Sequence, residues 1–161
     1  MTVWRLVRRH YVTSAAHAYS GIGAAIRGGR WNSRGVPLAY ASSTEALALL
    51  EYLVHVPLTL LPADLAFYPA TISDDDVHLG TKPPEDWNAF PHTNATVAFG
   101  DAFVREANHL AIRVPSAVIP FAWNVLINPA HRRFRSIDFG EPIPYAIDPR
   151  IRPSLQSDAD Q

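Results

Sequence analysis

The stretch GGRWNSRGVPLAYASSTEALALLE, residues 28–51, combines a glycine turn, a short apolar strand and an amphipathic helix. It sets an arginine on the turn, a tyrosine near the end of the strand and a glutamate two turns into the helix, namely Arg30, Tyr40 and Glu51. A folded strand–helix unit can bring three such side chains to one cleft. We therefore expect this stretch to form the wall of a site for an anionic, sugar-containing ligand.

The strand and the helix are predicted from local signals. Residues 36–41 are apolar and predict a strand. Ser42 and Glu45 have the spacing of a capping box, which predicts a helix over residues 43–55 that ends at the following proline. Because each helical residue advances by ~100°, Glu51 falls at the border of the apolar face, where a cleft can open.

Short apolar segments predict the remaining strands, at residues 3–7, 65–72, 109–115, 123–129 and 133–139. We expect the one charge within the first strand, Arg5, to point outward. A long loop over residues 80–95 and a short helix over residues 96–107 complete the pattern. The sequence thus predicts an α+β fold, a single domain of short, largely antiparallel strands with a few helices. The domain is predicted to span residues 1–150, and the polar tail 151–161 to be disordered.

Composition excludes several classes of protein. With 161 residues, 48% of them hydrophobic and 18% charged, the chain has the make-up of a folded domain. The formal net charge of −1 argues against a broad nucleic-acid-binding surface. No cysteine is present, which rules out disulfides and thiolate sites and fits a cytoplasmic protein. No apolar run approaches the ~20 residues of a membrane span, so we expect a soluble protein.

Metal binding has little support in the sequence. Seven histidines are scattered, and none pairs at i, i+4 with a further ligand. The three adjacent aspartates at residues 74–76 lack spaced partners, and we expect them to form a solvated turn. No metal site is predicted.

Motifs in both halves of the chain resemble the RES-domain family, which is named for an arginine, a glutamate and a serine. The first half supplies GGRWN at residues 28–32, Gly35, Tyr40-x-Ser42 and ALALLE at residues 46–51; the second supplies VPSAVIP at residues 114–120 and Asn124-x-x-x-Asn128-Pro129-x-His131. The resemblance spans about residues 3–139. Several spaced motifs in the right order make it specific.

The resemblance implies a toxin of a bacterial toxin–antitoxin pair, with a fold similar to that of ADP-ribosyltransferases. Such a toxin attacks NAD and cleaves the nicotinamide–ribose bond by hydrolysis or phosphorolysis, and some members are linked to ADP-ribosylation of a protein. NAD would be the substrate, and no prosthetic group is expected. The implied partner is an antitoxin with an Xre-type DNA-binding domain and a C-terminal part that blocks the site; a homodimer within the complex is also implied.

The chemistry of this reaction assigns roles to three catalytic candidates. Cleavage passes through an oxocarbenium-like transition state, and Glu51 can hold a ribose hydroxyl and favour the developing positive charge. Arg30 can grip the pyrophosphate with its planar fork. Tyr40 can stack on or border the nicotinamide ring. Nicotinamide is already a good leaving group, so no general acid is required.

Further substrate-binding residues are predicted around these three. Trp31 and Asn32 flank Arg30, Ser42 follows Tyr40 on the strand, and Ser116 supplies a hydroxyl at the end of a later strand. Asn124, Asn128 and His131 match family positions, but the sequence assigns them no chemical role.

Three alternative functions remain open at the level of sequence. The first is transfer of ADP-ribose to a protein target. The second is a ribonuclease toxin, for which HRRFR at residues 131–135 offers a histidine, arginines and an aromatic ring. The third is a non-catalytic module that binds a nucleotide through Arg30 and its glycine turn.

Overall fold

The computed structural model describes residues 1–151, which form one eight-stranded sheet with four α-helices. The strands are β1 (Thr2–Arg8), β2 (Ala39–Ser42), β3 (Leu65–Thr71), β4 (Val77–His78), β5 (Ala111–Pro115), β6 (Trp123–Ile127), β7 (Asp138–Phe139) and β8 (Ile143–Tyr145). The helices are α1 (Ala15–Ala18), α2 (Ile22–Arg27), α3 (Glu45–Leu53) and α4 (Asn94–Glu106). Short 3₁₀ turns occupy Arg9–Tyr11, Leu58–Leu60, Asp74–Asp76, Phe134–Ser136 and Pro149–Ile151. The predicted disordered tail lies, beyond Ile151, outside the described residues.

The sheet has the order β4-β5-β6-β2-β1-β3-β7, and β8 also pairs with β3. All pairs are antiparallel except β4 with β5. This arrangement confirms the predicted α+β class with a largely antiparallel sheet. No helix in residues 1–151 is long and apolar enough to cross a membrane.

Alternation along the strands separates two buried faces. One face carries small and aliphatic residues of the central strands, such as Val3, Ala41 and Val125, and is covered in part by Tyr19. The opposite face is covered by α3 and α4 and is built from two clusters. Leu6, Ala48 and Phe67 form the first, whereas Trp31, Leu38, Ile112, Val114 and Leu126 form the second, with Tyr40, Phe99 and Phe103 packed against it. The candidate site belongs to this second face.

Strands β1 and β2 meet at a single register position, Trp4 opposite Ser42. Arg5 bridges the two strands there, because its Nη1 donates a 2.5 Å hydrogen bond to the carbonyl oxygen of Tyr40. Its Nε is buried without a hydrogen-bond partner among residues 1–151. The expectation that Arg5 points outward is therefore wrong. Burial lowers the pKa of its guanidinium, against the opposing influence of Tyr19 and Tyr40.

Several predicted boundaries also differ from the structure. Helix α3 starts at Glu45, and its N-cap is Thr44, whose side chain accepts a hydrogen bond from the Leu47 N–H. Ser42 lies instead at the end of β2. Because Ser and Thr are both favoured N-cap residues and occur here in succession, spacing alone selects the wrong residue.

The predicted strand over residues 133–139 is wrong except at its last two residues. This segment forms the 3₁₀ turn Phe134–Ser136 followed by the two-residue strand β7. The turn begins because the His131 ring and carbonyl accept from the N–H groups of Arg133 and Phe134. The aspartate turn is only partly solvated, since Asp76 is buried and pairs with Arg133 at 2.9 Å. Helices α1 and α2 and strands β4 and β8 were not predicted, being short and weakly patterned.

Candidate functional site

Glu51 is the centre of a polar network on the covered face of the sheet. Its Oε1 accepts hydrogen bonds from Ser116 Oγ at 2.7 Å and from Asn124 Nδ2 at 2.5 Å. Its other oxygen, Oε2, is not shielded from solvent and has no hydrogen-bond partner among residues 1–151. The carboxylate is therefore held by one oxygen and presents the other.

Ser42 joins this network through Asn124. The two residues are register partners across β2 and β6, and Ser42 Oγ donates to Asn124 Oδ1 at 2.8 Å. Ser42 is only 4% exposed, so its hydroxyl makes this contact inside the fold. Trp4 on β1 is the register partner of Ser42, and Val114 on β5 is the register partner of Asn124. These pairings fix the position of Asn124 in the sheet.

Ser116 is fully buried just after the end of β5. Its hydroxyl oxygen accepts from the backbone N–H groups of Val118 at 3.1 Å and Ile119 at 3.0 Å. Since a hydroxyl has a single proton, these two acceptor contacts direct that proton to Glu51. The turn after β5 thus prepares a donor for the carboxylate.

Arg30 lies on the turn that precedes β2. Its Nη1 donates to the carbonyl oxygens of Trp87 at 2.7 Å and Ala89 at 2.9 Å, in the loop between β4 and α4. Its Nε and Nη2 have no hydrogen-bond partner among the described residues, and neither is shielded from solvent. One edge of the guanidinium holds the loop, and the other edge is free to meet an anion.

Tyr40 closes the same turn. Its hydroxyl accepts from the Trp31 N–H at 3.0 Å and donates to Asn32 Oδ1 at 2.6 Å. Burial raises the pKa of Tyr40, which keeps the phenol protonated and able to donate. Trp31 and Asn32 are 3% and 1% exposed, so both predicted binding residues lie inside the fold.

Strand β2 connects the turn around Arg30 with the polar network around Glu51. Tyr40 and Ser42 are two positions apart, and they lie on the same face of the sheet at a spacing of about 6.6 Å. The predicted residues are thereby gathered along one face: Arg30, Trp31, Asn32 and Tyr40 at one end, and Ser42, Glu51 and Ser116 at the other. The hydrogen bonds given above join the residues within each group.

The sequence does not predict the contacts of two residues of this region. It assigns Asn124 no role, although a polar residue in an otherwise apolar strand is a signal. Arg5 carried the same signal, a charge within an apolar strand. In both cases the partner lies on a different strand, and spacing along the chain could not identify it.

Two members of the basic segment proposed for a nuclease make contacts within the fold. Arg133 pairs with buried Asp76, and His131 is 9% exposed with its Nδ1 accepting from the Arg133 N–H. Within residues 1–151 no group of three or more acidic, histidine or cysteine side chains is arranged to hold a metal ion.

Comparison with known proteins assigns this chain to a family. A family model described as the RES domain matches residues 2–148. "Toxin Res" of Yersinia enterocolitica (serotype O:8 / biotype 1B) is 31% identical over 156 residues, covering 94% of this chain and 100% of the relative. The "Prs ADP-ribosylating toxin" of Sphingobium sp. strain YBL2 is 34% identical over 144 residues, covering 86% and 89%.

A solved structure shares the fold. The M. tuberculosis MbcT–MbcA toxin–antitoxin complex contains a chain that matches with a TM-score of 0.69 at 17% identity, covering 90% of this chain and 84% of that one. Because the family model matches nearly the whole chain, and relatives above 30% identity match over most of their length, this protein belongs to the RES domain family.

Proposed function

We propose that this protein is a bacterial toxin that degrades NAD by cleaving the nicotinamide–ribose bond. The observation that carries the proposal is the Glu51 carboxylate, fixed through Oε1 by two donors and open at Oε2. Family membership supports it, as do the relatives named as toxins.

In this proposal Glu51 accepts a hydrogen bond from a ribose hydroxyl through Oε2. As the nicotinamide leaves, positive charge develops on the ribose, and the fixed carboxylate stabilises that charge electrostatically. Because Oε1 is already bound, the carboxylate does not have to reorient during the reaction. The nicotinamide departs as a neutral ring and needs no proton donor.

Arg30 supplies the cationic part of the proposed site. The free Nε and Nη2 edge of its guanidinium can bind a pyrophosphate oxygen pair, while Nη1 keeps its contacts with the loop. Tyr40 borders the ring, and its buried partners Trp31 and Asn32 support the turn from behind. The acceptor of ADP-ribose is water or phosphate in this proposal.

Transfer of ADP-ribose to a protein is the second candidate. The name of the Sphingobium relative favours it, and the same carboxylate and guanidinium serve both reactions because the bond that breaks is the same. The two candidates differ only in the acceptor that captures the ribose.

We further propose that a cognate antitoxin of the Xre type covers this site in the cytoplasm, in a complex that contains a toxin homodimer. The solved neighbour is itself a toxin–antitoxin complex. Two aromatic side chains follow site residues closely in the chain and are almost fully exposed: Phe90, next to the Ala89 carbonyl that binds Arg30, and Phe121, five positions after Ser116. Aromatic residues are enriched at protein–protein interfaces.

The decisive experiment measures nicotinamide release from NAD, with and without phosphate, by the wild type, Glu51→Gln and Glu45→Gln. Glu45 is the matched control, because it is an exposed glutamate in the first turn of the same helix. We expect release by the wild type and Glu45→Gln, and a loss of about 10²–10³-fold in Glu51→Gln. Dependence on phosphate would identify a phosphorylase.

NAD that stays intact under both conditions would contradict the degradative proposal. ADP-ribose found on a protein of the host extract would then support the transferase. An unchanged rate in Glu51→Gln would exclude the assigned role of this carboxylate in either reaction.

A further inference from the structure

We propose that Ser42 and Asn124 are positioning residues that aim the Glu51 carboxylate and do not themselves bind the ligand. The inference rests on the proposed function and assigns two residues to its machinery. It also changes the role expected for Ser42, from a substrate contact to a support acting through Asn124.

The hydrogen bonds run in one direction. Ser42 Oγ donates to Asn124 Oδ1, and Asn124 Nδ2 donates to Glu51 Oε1. An ionised carboxylate can only accept, so the amide of Asn124 must turn its NH₂ group toward Glu51. The carbonyl end then faces Ser42, whose hydroxyl locks that orientation.

A second donor reaches the same oxygen. Ser116 Oγ is fixed by the N–H groups of Val118 and Ile119 and donates to Glu51 Oε1. Two donors on one oxygen define the rotation of the carboxylate about its terminal bond, a torsion that is otherwise broad. Oε2 is thereby presented to the ligand at a fixed angle.

The backbone holds the two supports more firmly than a surface contact could. Ser42 and Asn124 are direct register partners on adjacent central strands, flanked by β1 and β5. Ser42 is buried and reaches Asn124 without a water. Support of this kind around a reacting group commonly changes its activity by about 10–100-fold when removed.

The test separates support from substrate contact by comparing kcat with KM. Asn124→Asp keeps the size of the side chain and an acceptor for Ser42 but places a second carboxylate against Glu51. We expect kcat to fall about 10–100-fold with KM changed little. Ser42→Ala should lower kcat by less, and Ser42→Thr, which retains the hydroxyl, should recover most of the loss. If Ser42 touched the ligand instead, Ser42→Ala would raise KM and leave kcat unchanged.

A second readout does not depend on turnover. Unfolding in urea is measured for Asn124→Asp, Glu51→Gln and the double variant Glu51→Gln/Asn124→Asp. The double variant exchanges amide and carboxylate across the contact and restores one donor opposite one acceptor. We expect it to be more stable than Asn124→Asp alone, yet as inactive as Glu51→Gln.

The outcomes distinguish the two proposals. A wild type without NAD turnover overturns the proposed function, while the urea series still decides whether Asn124 is coupled to Glu51. Additive effects in that series, or a normal kcat in folded Asn124→Asp, overturn the positioning role whatever the reaction is. Stability regained without activity supports it.

Discussion

The two ends of β2 are built in opposite ways. At the Tyr40 end the hydroxyl bonds to Asn32 and Trp31, which lie only 8 and 9 positions away in the chain. At the Ser42 end the contacts join residues 82, 73 and 65 positions apart. The Tyr40 hydroxyl thus bonds within a local turn, whereas the Ser42 end exists only when residues 42–51 meet residues 116–124.

The two ends of β2 also differ in what their polar groups contact. The Tyr40 end spends nearly all of its polar groups on its own turn and on the neighbouring loop, leaving one edge of Arg30 available. The Ser42 end spends its polar groups on a single carboxylate oxygen. Changes at the first end should therefore register mainly in stability, and changes at the second mainly in turnover.

The strongest test of the Tyr40 end is Gly100→Ala in α4. A Cβ at Gly100 would lie 1.8 Å from the Trp31 carbonyl oxygen, so the helix must move away from the turn. We expect a loss of about 3 kcal/mol or more in unfolding free energy. Gly23→Ala is the control, because its Cβ meets nothing within 4 Å in helix α2, and alanine favours a helix. Equal stability of both variants in urea would show that α4 does not rest on the turn.

Tyr40→Phe tests the local turn itself. The change leaves the Trp31 N–H without its acceptor and Asn32 Oδ1 without its donor, at a cost of about 1–3 kcal/mol. Thermal or urea unfolding measures it, with the exposed Tyr11→Phe as the control. If Tyr40→Phe abolished turnover while leaving stability unchanged, the hydroxyl would take part in the reaction. That result would contradict the expectation that changes at the Tyr40 end affect mainly stability.

Thr44→Ala tests the support of α3, which carries Glu51. The Thr44 side chain caps the helix by accepting from the Leu47 N–H, and its loss should cost about 1 kcal/mol. Thr93→Ala is a matched control at the start of α4, since Thr93 makes no capping bond and its buried Oγ1 has no partner in residues 1–151. Urea unfolding should show a loss for the first and almost none for the second. Equal losses would contradict the assigned cap.

The smallest effect is expected at Asp64, away from both ends of β2. Hydrogen bonds from His10 and then Arg8 lower the pKa of Asp64 to about 2 from its ordinary 3.8. Because the folded-state pKa is depressed, this stabilisation is present above about pH 4 and is lost as the pH falls through about 2. Asp64→Asn should be less stable than the wild type at pH 6, and the difference should shrink as the pH falls and vanish below about 2. A difference that is as large at pH 2 as at pH 6 would argue against the linkage.

Local signals explain what the sequence could predict. The turn and helix of residues 28–51, the strands near residues 3, 65 and 111, and the position of Glu51 at the edge of its helix all follow from periodicity and capping within a few residues. The α+β class follows from the same elements. Errors occur where nearby residues carry similar signals, as with Ser42 and Thr44 before α3.

Pairing across the sheet explains what the sequence could not predict. Nothing near Asn124 indicates that its amide faces Glu51, and nothing near Arg5 indicates a carbonyl acceptor on β2. The inward direction of Arg5 depends on a carbonyl of the neighbouring strand β2, and that neighbour is a property of the assembled sheet. The roles of Arg30, Tyr40, Glu51 and Ser116 in binding a ligand remain predictions for the assays above.

The distance along the chain between Glu51 and its donors has a consequence for incomplete chains. A fragment that ends before Ser116 contains the glutamate, its helix and the arginine turn, yet lacks both groups that orient the carboxylate. Interrupted synthesis or cleavage in the turn after β5 can leave such a fragment. It contains the Glu51 carboxylate without the hydrogen bonds that orient it. For a protein proposed to destroy a cofactor of its own host, the oriented carboxylate therefore exists only in chains that extend through Ser116 and Asn124.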